Sequence, residues 1–175
     1  MQNSRYSSQT RRFMGYLFLL LCLFSTTVSA LEMPKNRVVL TVTGQITNTN
    51  SNQAAKFDLD MLSSLPTATI LTDAPWTKTV HKYEGFYLQD LLKVVNAHAS
   101  TVRVTALNEY ISEIPIEDFT EKGAIIATHM DGKRISVRKL GPLLVIYDFD
   151  SHRELRKETY FGRSVWQVKS IEFIE

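Results

Sequence analysis

Cysteine is almost absent from this sequence. The chain of 175 residues contains one cysteine, Cys22, and none in the segment 31–175. That segment therefore cannot form an internal disulfide, hold a metal through thiolates or use a cysteine nucleophile. The lack of a free thiol also fits an oxidising compartment.

The sequence also lacks an apolar run long enough to cross a membrane comfortably, which takes roughly 20 residues. Its most apolar stretch, 14–24, follows three arginines and no acid, and small residues come at 28–30. This order is typical of an export signal, so we expect residues 1–30 to be a signal peptide that is cleaved near Ala30. An uncleaved anchor is the alternative. We expect a periplasmic or secreted protein with no integral membrane segment after cleavage.

The route of export stays open. Arg11 and Arg12, followed by Phe13, are similar to a twin-arginine signal, although the phenylalanine comes one residue early for that pattern. The general secretory route is the alternative. Cys22 follows Leu21 where a lipoprotein signal needs a small residue, so we interpret it as part of the apolar run of the signal.

An excess of positive charge is missing from the segment 31–175. The whole chain has a net charge of +2, but three of its 20 lysines and arginines and none of its 18 acidic residues precede residue 31. The remaining segment carries a charge of −1, so its composition gives no support for nucleic-acid binding. Its length predicts a single domain with a core of its own.

Standard catalytic motifs are absent as well. The stretch 162–166 lacks the second glycine of a G-x-S-x-G motif, and the chain contains no phosphate-binding loop, no dinucleotide-binding glycine pattern and no H-E-x-x-H. The four histidines are far from one another in sequence. No internal repeat or second domain is evident.

The hydrophobic pattern predicts an α+β domain with a mainly antiparallel or mixed sheet and two or three short helices. A short helix is expected at 56–66, capped by Asp58 and ended by Pro66, and a longer amphipathic one at 85–99. Turns are expected at 108–109 and 131–132. Strands are predicted at 37–43, 67–73, 101–107, 110–116, 123–130, 142–148 and 164–175.

One polar segment has an unusual spacing. Asp148, Asp150, His152 and Glu154 occupy alternate positions, and an extended strand would place all four on one face, where they could bind a divalent cation. The alternative is a solvated loop, which needs no ligand. We favour the loop and predict no metal site.

Cations and aromatic rings are concentrated in the last third of the chain. Arginine can bind phosphate or carboxylate oxygens through two hydrogen bonds, and aromatic rings can stack on a planar ligand. The alternative is that long cationic side chains cover apolar surface and protect edge strands from aggregation. The residues concerned are Arg134, Arg138, Lys139, Arg153, Arg156, Lys157, Tyr160, Phe161, Arg163 and Trp166.

A succession of seven segments resembles the molybdopterin-binding oxidoreductase domain of the sulfite oxidase type. The resemblance covers nearly all of the segment 31–175 and implies a compact α+β domain and a molybdopterin cofactor. The segments read VVLTVTGQI, FDLDMLSSLP, YEGFYLQDLL, VRVTALNEYISEIPIEDF, AIIATHMDGKRIS, GPLLVIYDF and YFGRSVWQVKSIEF.

The sequence departs from that family at two places. The family's enzymes bind molybdenum through a pterin dithiolene and a cysteine, but the stretch where that cysteine is expected offers Thr77, Lys78, Thr79 and His81. Losing a soft thiolate ligand is not a conservative change. In the closing segment, Trp166 stands where the enzymes commonly have a lysine.

Two functions therefore remain open. The first is an exported binding module of this fold without the catalytic metal, which holds a small anionic or planar ligand or an envelope protein. The second is a molybdopterin-dependent oxidoreductase whose metal has a non-cysteine ligand or only the dithiolene. We predict no catalytic residue for the first. Its expected ligand-binding residues are Trp76, Arg138, Tyr160, Arg163, Ser164 and Trp166.

Overall fold

The computed structural model describes residues 31–77 and 79–175. The signal peptide predicted for residues 1–30 lies outside the described residues. No helix in the described part is long and apolar enough to cross a membrane. The strands, in chain order, are β1 (Leu40–Gly44), β2 (Ala55–Phe57), β3 (Thr67–Thr72), β4 (His81–Phe86), β5 (Thr101–Ala106), β6 (Ile111–Pro115), β7 (Ile125–Met130), β8 (Lys133–Arg134), β9 (Leu144–Ile146) and β10 (Val168–Ile174).

These strands form two sheets. The first has the order β2-β1-β10-β5-β6, and the second has the order β3-β4-β7-β8, with β9 also paired to β7. The only parallel pair among the described strands joins β1 to β10, with Val42 opposite Ile171. All other pairs are antiparallel. The architecture is therefore the mixed, mainly antiparallel α+β fold that the sequence predicts.

Four short α-helices and one 3-10 turn complete the described part of the chain. They are α1 (Leu59–Ser63), α2 (Leu88–Val95), α3 (Glu117–Thr120), the 3-10 turn Arg153–Leu155 and α4 (Glu158–Arg163). Asp58 caps α1 as predicted, since its Oδ1 accepts a hydrogen bond from the Met61 amide at 2.9 Å. The predicted stripe of α2 also faces the core, because Leu88, Leu91 and Val95 are buried.

One buried cluster joins the two sheets and the helices. β7 supplies four consecutive buried residues and β9 is buried along its whole length, as expected for interior strands. Gly85 fits this packing tightly, because a Cβ there would lie 2.0 Å from the Ile126 carbonyl oxygen. The pairing of β4 with β7 shifts register between Glu84 and Gly85. Glycine is common at such irregularities because it has no side chain to obstruct the neighbouring strand.

The structure corrects several bounds of the sequence-based assignment. The strand predicted at 164–175 begins only at Val168, and Glu158–Arg163, for which no helix is predicted, form α4. Residues 56–57 and 85–86, which are predicted to be helical, belong to β2 and β4. Strand β4 is absent from the predicted strands but pairs with both β3 and β7. The predicted turns are confirmed: the β5–β6 hairpin turns at 107–110, and Asp131 and Gly132 both have positive φ.

Candidate functional site

The strongest candidate site is a cleft with four aromatic side chains in its lining, which we call the aromatic cleft. Its volume is about 460 Å³. Three connections meet there: the one after β3, the turn between β5 and β6, and the link from α4 to β10. The lining residues are Pro75, Trp76, Ala106, Asn108, Tyr110, Phe161, Gly162, Ser164, Val165, Trp166 and Gln167.

Two tryptophans form one wall of the aromatic cleft. The rings of Trp76 and Trp166 meet edge to face, with 5.2 Å between centroids and an interplanar angle of 62°. Trp166 keeps 43% of its surface exposed although it lies beside this partner. Among the described residues, the buried indole Nε1 of Trp76 finds no hydrogen-bond acceptor. The wall therefore presents aromatic surface to the cleft, while the donor capacity of the buried Trp76 nitrogen is unused within the described residues.

Hydrogen bonds fix the other walls of the cleft. The Tyr110 hydroxyl donates to the Gly162 carbonyl at 2.9 Å, which ties the β5–β6 turn to the end of α4. The Leu107 amide donates to the Gln167 carbonyl at 2.9 Å. Ser164 is 4% exposed, and its hydroxyl donates to the Tyr160 carbonyl at 2.8 Å. These polar groups are thus already engaged in holding the cleft together.

A buried charge cluster lies on the other side of α4. The carboxylate of Asp118 is fully buried, and it accepts hydrogen bonds from the Tyr147 hydroxyl at 2.8 Å, Arg163 Nη1 at 2.9 Å and Lys122 Nζ at 3.0 Å. The Tyr160 ring packs over both cations, 5.3 Å from Lys122 Nζ and 5.7 Å from Arg163 Cζ. Three donors therefore satisfy the buried carboxylate, and the Tyr160 ring packs against the two cations among them.

The cluster also shifts two pKa values. Burial, and then the charge of Asp118, raise the pKa of the Tyr147 hydroxyl far above its ordinary value. The hydrogen bond to Asp118 raises the pKa of the Lys122 ammonium. Both shifts favour the protonated donors, so the cluster keeps its hydrogen bonds at neutral pH.

The predicted site residues separate into three groups. Trp76, Ser164 and Trp166 line the aromatic cleft. Tyr160 and Arg163 belong to the charge cluster behind it. Arg138 is exposed in the connection between β8 and β9 and contributes to neither. A role in ligand binding stays a prediction for all six.

The residues in the stretch where the family's cysteine is expected make other contacts. The Thr77 hydroxyl accepts a hydrogen bond from the Ala74 amide at 2.8 Å, and His81 Nδ1 lies 2.7 Å from Asp131 Oδ2. Thr79 contacts the same histidine at 3.2 Å. None of these three lines the aromatic cleft, and Lys78 lies outside the described residues.

The acidic segment 148–154 is a loop, as we favoured. It contains turns and the 3-10 turn rather than a strand, so its four polar side chains do not share one face. Asp150 accepts hydrogen bonds from Arg156 and from the Asp73 amide, and His152 contacts Glu154. Within residues 31–77 and 79–175, no group of three or more histidines, cysteines and acids is arranged to hold a metal ion.

Sequence reasoning missed several residues of both regions. Tyr110 and Gln167 line the cleft because the β5–β6 turn and the start of β10 are joined by hydrogen bonds, which no local pattern records. An exposed aromatic residue directly after a predicted turn was the available signal for Tyr110. For Asp118 the available signal was Lys122 four residues later, but the other cationic partner, Arg163, is 45 residues away and leaves no local pattern.

Comparisons with known proteins agree with this fold. The family model described as "Oxidoreductase molybdopterin binding domain" matches residues 27–174. Among solved structures, the sulfane dehydrogenase SoxCD from Paracoccus pantotrophus is similar, with a TM-score of 0.57 and 14% sequence identity, over 83% of this chain. This chain spans only 40% of that SoxCD chain. The search among curated proteins gave no match. By its sequence, the chain belongs to the oxidoreductase molybdopterin-binding domain family.

Proposed function

We propose that this protein is an exported member of the molybdopterin-binding oxidoreductase family that serves as a binding module rather than a molybdenum enzyme. Its ligand is a small planar molecule held in the aromatic cleft. The observation that supports this proposal is the lining of that cleft. It contains Trp76, Tyr110, Phe161 and Trp166 but no cysteine, histidine, acid or cation.

The residues present do not fit a molybdenum centre that the protein ligates. No cysteine occurs after Cys22, and the polar side chains that line the cleft are amides and hydroxyls. The hydroxyls of Tyr110 and Ser164 already donate to main-chain carbonyls. The family's enzymes add a soft cysteine thiolate to the dithiolene, and neither an amide nor an engaged hydroxyl replaces that thiolate.

The lining of the aromatic cleft also narrows the chemical class of ligand that we expect. An anionic ligand would be stabilised by a lysine or arginine in the lining, but the lining contains neither. Arg163, the cation nearest in sequence to the lining residues, pairs with Asp118 instead. Aromatic walls favour a planar ring system that stacks or meets them edge to face. The proposed ligand is therefore planar and carries little charge where it contacts the cleft.

Native mass spectrometry of protein purified from the organism's own envelope tests this proposal. We expect a small aromatic ligand bound to the native chain and lost from Trp166→Ala, which removes half of the tryptophan wall. The matched control is Tyr87→Ala, a substitution of an exposed aromatic residue outside the cleft, which should keep the ligand. Equal retention by the two variants, or no aromatic ligand in the native protein, would contradict the proposal.

A molybdopterin-dependent oxidoreductase remains the second candidate. The observation that favours it is the family match across residues 27–174. In that case the dithiolene alone, or a non-cysteine ligand, would hold the metal. This candidate predicts close to one molybdenum per chain in protein from a host that makes the cofactor, whereas the binding module predicts essentially none.

A further inference from the structure

A second cavity lies on the face of the first sheet that points away from the core. Its volume is about 920 Å³, and it shares no lining residue with the aromatic cleft. Thr41 and Ser170, which are opposite each other in the β1–β10 pair, form its floor and alternate with buried Val42 and Ile171. We call this cavity the basic groove. It is lined by Asn36, Arg37, Val38, Val39, Thr41, Leu59, Asp60, Leu107, Arg134, Val137, Pro142, Val168, Lys169 and Ser170.

Apolar side chains converge on the basic groove from three separate segments. Val38, Leu107 and Val137 are 39%, 44% and 45% exposed and all line the groove. Single exposed apolar residues are ordinary on a protein surface, but several that meet in one concavity indicate a contact with another molecule. An apolar part of a ligand placed between these three side chains would bury their exposed surface.

The charges around the groove are predominantly positive. Three cations, Arg37, Arg134 and Lys169, line it, and Asp60 is the single acid. Arg134 and Asp60 lie 3.4 Å apart with side chains 60% and 66% exposed, so their attraction is weak and the arginine retains free donors. Lys169 contacts Glu109, which is 74% exposed. Arg37 has no ion pair with any described residue.

We propose that the basic groove binds a small amphiphilic anion, with an alkyl or aryl body and one carboxylate, sulfonate or phosphate head. The apolar walls would bury the body, and Arg37 and Lys169 would pair with the head. The volume lies within the range of small-molecule sites, roughly 300–1,000 Å³. Three cations and one acid line the groove, so an anionic head gains an attraction that a neutral head does not, and for this reason we assign an anion.

Titration of the full-length purified protein with octanoate, followed by NMR of backbone amides and indole groups, tests this assignment. We expect saturable shifts at Val39, Leu107 and Ser170, with the indole signals of Trp76 and Trp166 unchanged. Octan-1-ol has the same alkyl body without the charge and should bind at least tenfold more weakly. The same spectra show whether each variant remains folded.

Two charge-matched double variants locate the binding. Arg37→Gln/Lys169→Gln should raise the dissociation constant for octanoate at least tenfold and leave that for octan-1-ol unchanged. Lys133→Gln/Lys139→Gln removes the same charge from the neighbouring β8–β9 region without touching the lining, and should change octanoate binding less than twofold.

Four results would overturn the proposal. They are the absence of saturable binding of octanoate, equal binding of octan-1-ol, equal loss of binding in both double variants, and shifts centred on the two indoles. Hexaglutamate is a further probe. Should it saturate the groove while octanoate does not, the groove would be a site for acidic peptides and the small-molecule assignment would be wrong.

Discussion

The two sides of helix α4 differ in how they use polar groups. On one side, Tyr160 and Arg163 pack into the charge cluster, where the buried Asp118 carboxylate has three donors. On the other, Phe161 and Gly162 border the aromatic cleft, where Trp76 Nε1 has no partner among the described residues. The first side is fully satisfied, whereas the second has unused donor capacity and exposed rings.

This difference separates stability from binding. A buried carboxylate with three donors holds α4 in place, because removing any one of them would leave the buried charge with an incomplete set of hydrogen bonds. The exposed aromatic surface of Trp166 contributes less to the fold and is suited to contact with a ligand. Arg163, which the sequence analysis predicted to bind a ligand, thus belongs to the charge cluster, and Trp166 lies on the side that we propose for binding.

The largest expected effect is that of Asp118→Asn. The amide keeps the shape of the carboxylate but loses its charge, so Arg163 and Lys122 face each other without a counter-ion. We expect the free energy of unfolding, measured by urea denaturation, to fall by about 3 kcal/mol. Glu109→Gln is the matched control, because Glu109 makes an exposed ion pair, and should cost less than about 0.5 kcal/mol. Similar losses in the two variants would show that the cluster does not stabilise α4.

The next comparison is between Arg163 and Arg138, the two arginines that the sequence analysis predicts to bind a ligand. Arg163→Gln leaves the buried Asp118 with one cation fewer, and we expect a loss of about 2 kcal/mol in unfolding free energy. Arg138→Gln, at an exposed position, should change it by less than about 0.5 kcal/mol. Chemical denaturation of both variants at neutral pH is sufficient. An equal loss of unfolding free energy in the two variants would show that Arg163 is no more important for stability than the exposed Arg138.

The smallest expected effects compare two buried tyrosines. Tyr147 donates to Asp118, whereas the Tyr83 hydroxyl is buried without a partner among the described residues. Tyr147→Phe should cost about 1 to 2 kcal/mol of unfolding free energy, since it leaves Asp118 short of a donor. Tyr83→Phe removes an unsatisfied hydroxyl and should be neutral or slightly stabilising. The reverse order would contradict the hydrogen-bond assignment.

Alkaline pH provides a second measurement on the same tyrosines. Burial raises the pKa of Tyr83 to about 12, with smaller contributions from Asp131 and Asp73. The folded state then holds a proton that the unfolded state releases near pH 10, so stability falls as the pH rises from about 10 toward 12. Tyr83→Phe should make this fall shallower, which unfolding measured from pH 9 to 11.5 will show. An unchanged slope would mean that the pKa of Tyr83 is not raised.

Local patterns predicted the framework well. The hairpin of β5 and β6 follows from alternation around a turn, and α2 from the spacing of Leu88, Leu91 and Val95. Strand β4 was missed because its sequence, HKYEGF, is polar and contains Gly85, which usually argues against a strand interior. Helix α4 was missed because its six residues include Gly162 and merge with an alternating segment.

The candidate site was predictable only in part. The aromatic character of Trp76 and Trp166 is visible in the sequence, but their contact joins residues 90 positions apart. The same limit applies to Arg163, whose sequence neighbours suggest a ligand and whose real partner is Asp118. Periodicity reports which face of an element is apolar and carries no record of which elements meet.

Molybdenum content tests the central claim most directly. The protein should be produced with residues 1–30, the predicted signal peptide, in a host that makes molybdopterin, purified without chelators, and analysed for molybdenum and for pterin fluorescence. The binding-module account predicts less than about a tenth of a molybdenum atom per chain, because in this account the cleft holds a different ligand and its lining supplies no thiolate to the metal. Close to one molybdenum and one pterin per chain would contradict it and establish the oxidoreductase candidate.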